Sequence, residues 1–150
     1  MYKILMDGNT LYYPGDEIAI LQSSTLNLEL NTAGTLEFIC PPGNPYYNSI
    51  YNRRSIVSVY RDENEIFIGE VREQVKDLRG NKKVQCVGLL SYLADSIQKQ
   101  TEYHNQTLYQ LLAKFLDIHN AQVDEKKRID IGRVTVTDPN DSLYLSLIHI

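Results

Sequence analysis

Along the first half of the chain apolar and polar residues alternate, the period of a strand with one buried face. Residues 2–6 and 11–13 flank Asp7-Gly8-Asn9, a hairpin pattern in which Gly8 and Asn9 tolerate positive φ. Pro14-Gly15-Asp16 makes a second turn. Residues 25–30 alternate strictly, which places Leu26, Leu28 and Leu30 on one face and turns Asn27 and Glu29 outward. After a polar break at 31–34, Leu36, Phe38 and Cys40 resume the pattern. The pair predicts an antiparallel hairpin with Leu26, Leu28, Leu30, Leu36 and Phe38 in the core, so Leu28→Ala is expected to cost about 2–5 kcal/mol.

Pro41-Pro42-Gly43-Asn44-Pro45 ends any strand, because proline cannot donate to a ladder. Tyr46, Tyr47 and Tyr51 follow in a loop or short helical turn. Residues 55–60 and 65–74 read as strands around Asp62-Glu63-Asn64. Residues 83–87 read as another after the turn at 78–82, with Val84 and Cys86 on one face. That gives six or seven strands before residue 88, the spacing of a small barrel or sandwich.

The period then changes. Leu89, Leu90, Leu93 and Ile97 predict a short closing helix over 89–97. Thr107 is an N-cap candidate for a second helix, with Leu108, Leu111, Leu112, Phe115 and Leu116 as its apolar stripe and Asn120 at its end. Ile129-Asp130-Ile131 and Val134-Thr135-Val136 return to strand alternation with Gly132 as a bulge, and Asp138-Pro139-Asn140 is a turn. The expected fold is therefore β-rich α+β. A small antiparallel β-barrel over 1–96 is followed by the beginning of a second, incomplete α+β domain over 97–144. A helix and one or two strands bury too little surface to stand alone. The last six residues, 145–150, are the translation of CTG TCT CTT ATA CAC ATC, the end of a transposon adaptor. They are expected to be a non-native tail, the native reading frame continuing past Tyr144.

Composition adds limits. The 150 residues are 43% hydrophobic and 23% charged, with a net charge of −4, which suits a globular chain and not a basic nucleic-acid binder. No stretch approaches the roughly 18 apolar residues of a membrane helix, and no secretory signal is visible at the start. Eleven tyrosines against three phenylalanines and no tryptophan lean toward strands and amphipathic surfaces.

Candidate chemistry is sparse. His104, His119 and His149 are scattered without metal-ligand spacing, so no metal and no cofactor is expected. His119 falls near a helix end, where a cation complements the dipole, and His104 is expected in a loop. Cys40 and Cys86 read as small core hydrophobes. Asp16-Glu17 and Asp62-Glu63 sit in turns as solvated carboxylates, and Arg53-Arg54 and Lys126-Lys127-Arg128 as solubilising clusters. The stiff aromatic loop carrying Pro45, Tyr46, Tyr47 and Tyr51 is the candidate interface, either presented outward or covering one end of the β unit. A carbohydrate-binding module stacking sugars on Tyr46, Tyr47 and Tyr51 is a further reading.

The runs LNLELNTAGTLEFICPPGNPYYNSI, RRSIVSVYRDENEIFIGEV and KKVQCVGLLSYLADSIQKQ, in that order, closely resemble the N-terminal hub region of phage minor tail proteins. These are the prophage endopeptidase tail, or tail-associated lysin, group. The continuation TEYHNQTLYQLLAKFLDIHNAQVDEKKRIDIGRVTVTDPND is similar to the family's next stretch, so the resemblance covers about 1–144. It implies a structural subunit of a tail tip or baseplate hub, a homotrimer of tube-like β-barrel domains that adapts a sixfold tail tube to a threefold tip. Its partners would be copies of itself, the distal tail protein and other tail-tip proteins. It would reside at the virion tail tip, and in the host cytoplasm during assembly. The resemblance assigns no catalytic residue here, because the family's peptidoglycan-cleaving segments lie further along. The chain would then be no enzyme itself, or else the non-catalytic front end of a tail-associated hydrolase.

Overall fold

The computed structural model describes residues 1–136 and the strand Leu143–Leu147; the turn expected at 138–140 and His149 lie outside the described residues. The chain divides into two compact units, 1–91 and 92–150.

The first unit holds seven strands: β1 (Tyr2–Met6), β2 (Asn9–Tyr12), β3 (Ser23–Asn27), β4 (Thr35–Cys40), β5 (Ile56–Arg61), β6 (Asn64–Lys76) and β7 (Lys82–Gly88). They form one curled antiparallel sheet, the half of a barrel, in the order β2-β1-β5-β6-β7-β4-β3. Antiparallel pairing at every step makes β2 and β3, the two ends, run in the same sense. With seven strands the ends cannot complete the antiparallel pattern with each other, so the expected barrel stays open, with β2 and β3 as its edges.

Local chemistry explains the turns. Met6 pairs Asn9, so the β1–β2 connection is the two-residue turn Asp7-Gly8, with φ of 49° and 82°. Two positive φ angles are what a tight hairpin needs. The turn therefore sits one residue earlier than the Gly8-Asn9 expected from sequence. Asp7 keeps its place by accepting from the Ile56 N–H at 2.8 Å through its carboxylate and donating to the Ile56 carbonyl at 2.9 Å. Residues 13–16 turn as expected, the Asp16 N–H donating to Tyr13 and Gly15 taking φ 90°.

The core lies on the inner face. Ile4, Val59 and Phe67 are opposite one another across β1, β5 and β6, and Leu36, Cys86 and Val71 across β4, β7 and β6. Phe38, Met6, Leu11, Val57 and Val84 complete a continuous cluster. Each such side chain, fully buried, contributes about 1.5–3 kcal/mol. The β6–β7 ladder shifts register between Val71 and Glu73, so Arg72 is an extra residue. This bulge changes the phase of β6: Val71 is on the inner face before it, and Gln74, opposite buried Val84, is inward after it.

Three expectations fail in this unit or at its end. β3 stops at Asn27, because β4 begins at Thr35 and offers nothing further to pair. Leu28 is consequently 53% exposed and Leu30 91%, so neither is a core residue. The helix expected over 89–97 is a 3-10 helix, Leu89–Asp95, in which Leu90 and Leu93 are exposed and Tyr92 is the buried side chain. Three-residue periodicity rotates the stripe out of line with a 3.6-residue expectation.

The second unit contains β8 (Thr101–Gln106), α1 (Leu108–Asn120) and β9 (Leu143–Leu147). β8, which the sequence pattern did not indicate, pairs antiparallel with β9, Thr101 opposite Leu147. His104 is therefore a strand residue, beside Glu102 at 3.4 Å. Thr107 caps α1 as expected: its hydroxyl accepts from the Gln110 N–H and the Gln110 side chain accepts from the Thr107 N–H, both at 3.0 Å. Leu111 and Leu116 are buried, and the Phe115 ring meets Tyr103 edge-on at 5.6 Å. Leu112, expected in the stripe, is exposed. Residues 128–136 form no strand, since no described strand pairs with them.

Candidate functional site

The edges of the open sheet frame one groove of about 650 Å³. Tyr12 of β2 stands on one side, Ser24 and Leu26 of β3 on the other, and Ile4, Leu36 and Val59 form an apolar floor. Leu28 and Arg61 stand at the groove as well. Five separate segments supply these residues, so no run of sequence marked them. The broken alternation at Leu28 and Leu30 was the available sign: a core pattern continued past the point where a partner strand exists.

The aromatic loop is built differently. Asn44, buried, donates through its side-chain amide to the carbonyls of Leu11 and Ile20, both at 2.9 Å, and accepts from the Tyr46 N–H at 3.0 Å. This amide fastens the loop to β2 and to the connection between β2 and β3. The Tyr47 hydroxyl donates to the Gly80 carbonyl at 2.5 Å, and the Lys82 ammonium donates to the Tyr47 carbonyl at 2.7 Å while standing 4.3 Å from its ring centre. Tyr47 is thus a core residue and Tyr46 is half-buried against the core, so the loop closes one end of the sheet. Pro45 and Tyr51 are exposed, and Arg54 lies 5.6 Å from the Tyr51 ring. The expectation of a presented aromatic loop holds for those two positions alone. Of Tyr46, Tyr47 and Tyr51, the three rings read as a sugar-stacking platform, the structure buries Tyr47, half-buries Tyr46 and leaves Tyr51 exposed.

The titratable groups are used structurally. Burial pushes the Cys86 thiol up to about 12 and Cys40 to about 11, the Lys82 charge opposing part of the second shift. Neither sulfur is activated toward nucleophilic attack. Asp16 is held below the ordinary carboxylate range by N–H groups of Ala19 and Ile18, Asp77 chiefly by the Asn81 side chain, and Asp62 chiefly by the hydrogen bond from the N-terminal ammonium. Asp16 and Asp77 therefore organise turns, and Asp62 ties down the chain's first residue.

In the second unit His119 lies in the last turn of α1, as the sequence indicated, and is fully buried. Its Nε2 donates to the Lys127 carbonyl at 3.0 Å, and Nδ1 meets the Ser96 hydroxyl at 2.9 Å. The Lys127 ammonium bonds Asp95 at 2.6 Å. The enclosed imidazole thereby joins three segments of the unit. Among the described residues no three of His, Cys, Asp and Glu come close enough to hold a metal ion, and no helix is long and apolar enough to cross a membrane.

No protein-family model matches the chain, and no curated protein matches it.

Proposed function

We propose that this chain is a structural subunit of a phage or prophage tail tip or baseplate hub, a homotrimer that joins the tail tube to the tip by assembly. The observation that carries the reading is the pair of edges, β2 and β3, which have no outer partner among the described residues and flank one groove with an apolar floor. A strand edge with free N–H and C=O groups is a template for another chain, and stable proteins leave one open where a partner completes it. Two edges of different sequence suit a ring, in which each copy offers one surface and receives a different one. The ordered resemblance of 1–144 to tail-hub proteins supports the same role, including the distal tail protein as neighbour and the virion tail tip as location. The role is the same if the chain is the front end of a tail-associated hydrolase.

Mass measurement of the full chain by light scattering after gel filtration tests this. Three copies per particle is the expected result. A monomer at every accessible concentration overturns it.

A further inference from the structure

We infer that Asp7 is a site of isoaspartate formation that the folded hairpin holds shut, so that the modification marks chains whose β1–β2 turn is open. Asp7-Gly8 is the one Asp-Gly step in the sequence, and no Asn-Gly occurs. The chemistry needs only water. The Gly8 amide nitrogen attacks the Asp7 carboxyl carbon, and the new N–Cγ bond closes a five-membered succinimide. The amide proton and the carboxyl's hydroxyl leave as water. Water then reopens the ring. Attack at Cγ returns aspartate, and attack at the α-carbonyl leaves the main chain running through Cβ and Cγ, with the free carboxylate on Cα. Glycine favours the first step because it has no side chain to screen its nitrogen. Both residues are exposed, and a Cβ on Gly8 would meet nothing within 4 Å, so no neighbour covers the step.

Two features of the fold oppose ring closure. Asp7 and Gly8 take φ of 49° and 82°, those of the mirror-image type I turn, whose first residue has ψ of about +30°. That angle sets the Gly8 nitrogen nearly opposite Cβ across the Asp7 Cα–C bond, whereas the ring needs the two eclipsed. The carboxylate is also fastened elsewhere. Its Oδ1 accepts from the Ile56 N–H at 2.8 Å, and the Asp7 N–H donates to the Ile56 carbonyl at 2.9 Å. Turning Cγ onto Gly8 therefore breaks a bond to β5 and the turn together. The product does not fit the same hairpin. Isoaspartate adds one backbone atom between Met6 and Asn9, which are paired directly, and Met6 is buried in the core.

The test ages the full-length chain near neutral pH, folded and in urea. Isoaspartate at Asp7 is read by peptide mapping and by methylation with an isoaspartyl methyltransferase. The folded chain is expected to accumulate it at least about tenfold more slowly, because reaction waits for local opening. Pro42→Asp supplies an internal comparison: it creates a second Asp-Gly step in an exposed turn, where Gly43 has no positive φ and nothing close to it. In that folded variant the new step is expected to outpace Asp7-Gly8, and in urea the two should match. Asp7→Asn gives a second readout, since loss of its amide through the same ring changes the mass; it should react in urea and resist when folded. Equal rates at Asp7 in folded and unfolded chains overturn the inference, as does the absence of isoaspartate there in urea. Two equally slow steps in folded Pro42→Asp also overturn it, since folding in general, and not the turn and its bond to Ile56, would then account for the protection.

Discussion

Gly69 of β6 and Gly88 of β7 face each other across the ladder, and neither position has room for a side chain. A Cβ on Gly88 would fall 1.8 Å from the Ala33 carbonyl oxygen, and one on Gly69 would fall 2.5 Å from the Phe67 ring. Together with Gly34, these positions make the hollow that the Phe67 ring fills.

Gly88→Ala therefore forces the 33–34 backbone away from the sheet, and a loss of about 1–3 kcal/mol or more is expected. Gly43→Ala meets nothing within 4 Å and has no positive φ, so it should change stability by no more than about 0.5 kcal/mol. Urea midpoints of the two variants separate close packing from a general intolerance of alanine.

Leu36 and Leu28 share an alternating pattern and have opposite surroundings, 1% and 53% exposed. Leu36→Ala should cost about 2–5 kcal/mol. Leu28→Ala should cost about 1 kcal/mol or less in the isolated chain. Equal losses in chemical unfolding would mean that β3 extends beyond Asn27.

The carboxyls of Asp16, Asp62 and Asp77 are held below the ordinary carboxylate range in the folded chain by the hydrogen bonds they accept. A depressed folded pKa means that the unfolded chain binds protons first as pH falls, so the stabilisation is complete above the unfolded pKa and is lost as pH falls through the folded one. Thermal midpoints should decline as pH drops through about 4 toward 2. Asp77→Asn should flatten the decline, since its carboxylate accepts from Arg79 and Asn81. An unchanged slope would remove Asp77 from the account.

Cys40 and Cys86 are completely enclosed, with thiols raised to about 11 and about 12. At pH 8 the folded chain should leave both unmodified by a disulfide reagent over minutes, and denaturant should release two equivalents. Prompt reaction of either sulfur without denaturant would place it at the surface.

Local pattern made much of the fold legible. The alternation at Leu36, Phe38 and Cys40 and the capping pair Thr107 and Gln110 depend on neighbours in the chain, and they lie where the sequence puts them. The hairpins at 7–8 and 62–63 follow from residues that accept positive φ. Leu28, Leu30 and residues 129–136 show the limit. Alternation states that a segment can be a strand, whereas a ladder requires a second backbone alongside it.

The amino-acid order by itself determined which segments favour strand or helix, where they turn and which side chains share a face, because those properties are set within a few residues. Tertiary structure decided that β2 and β3 become open edges, that Tyr47 and His119 are enclosed, and that Leu28 stands beside a groove. Each of those outcomes depends on which distant backbone arrives next to a residue, and for the two edges and Leu28 that is set by the direction and number of strands in the sheet.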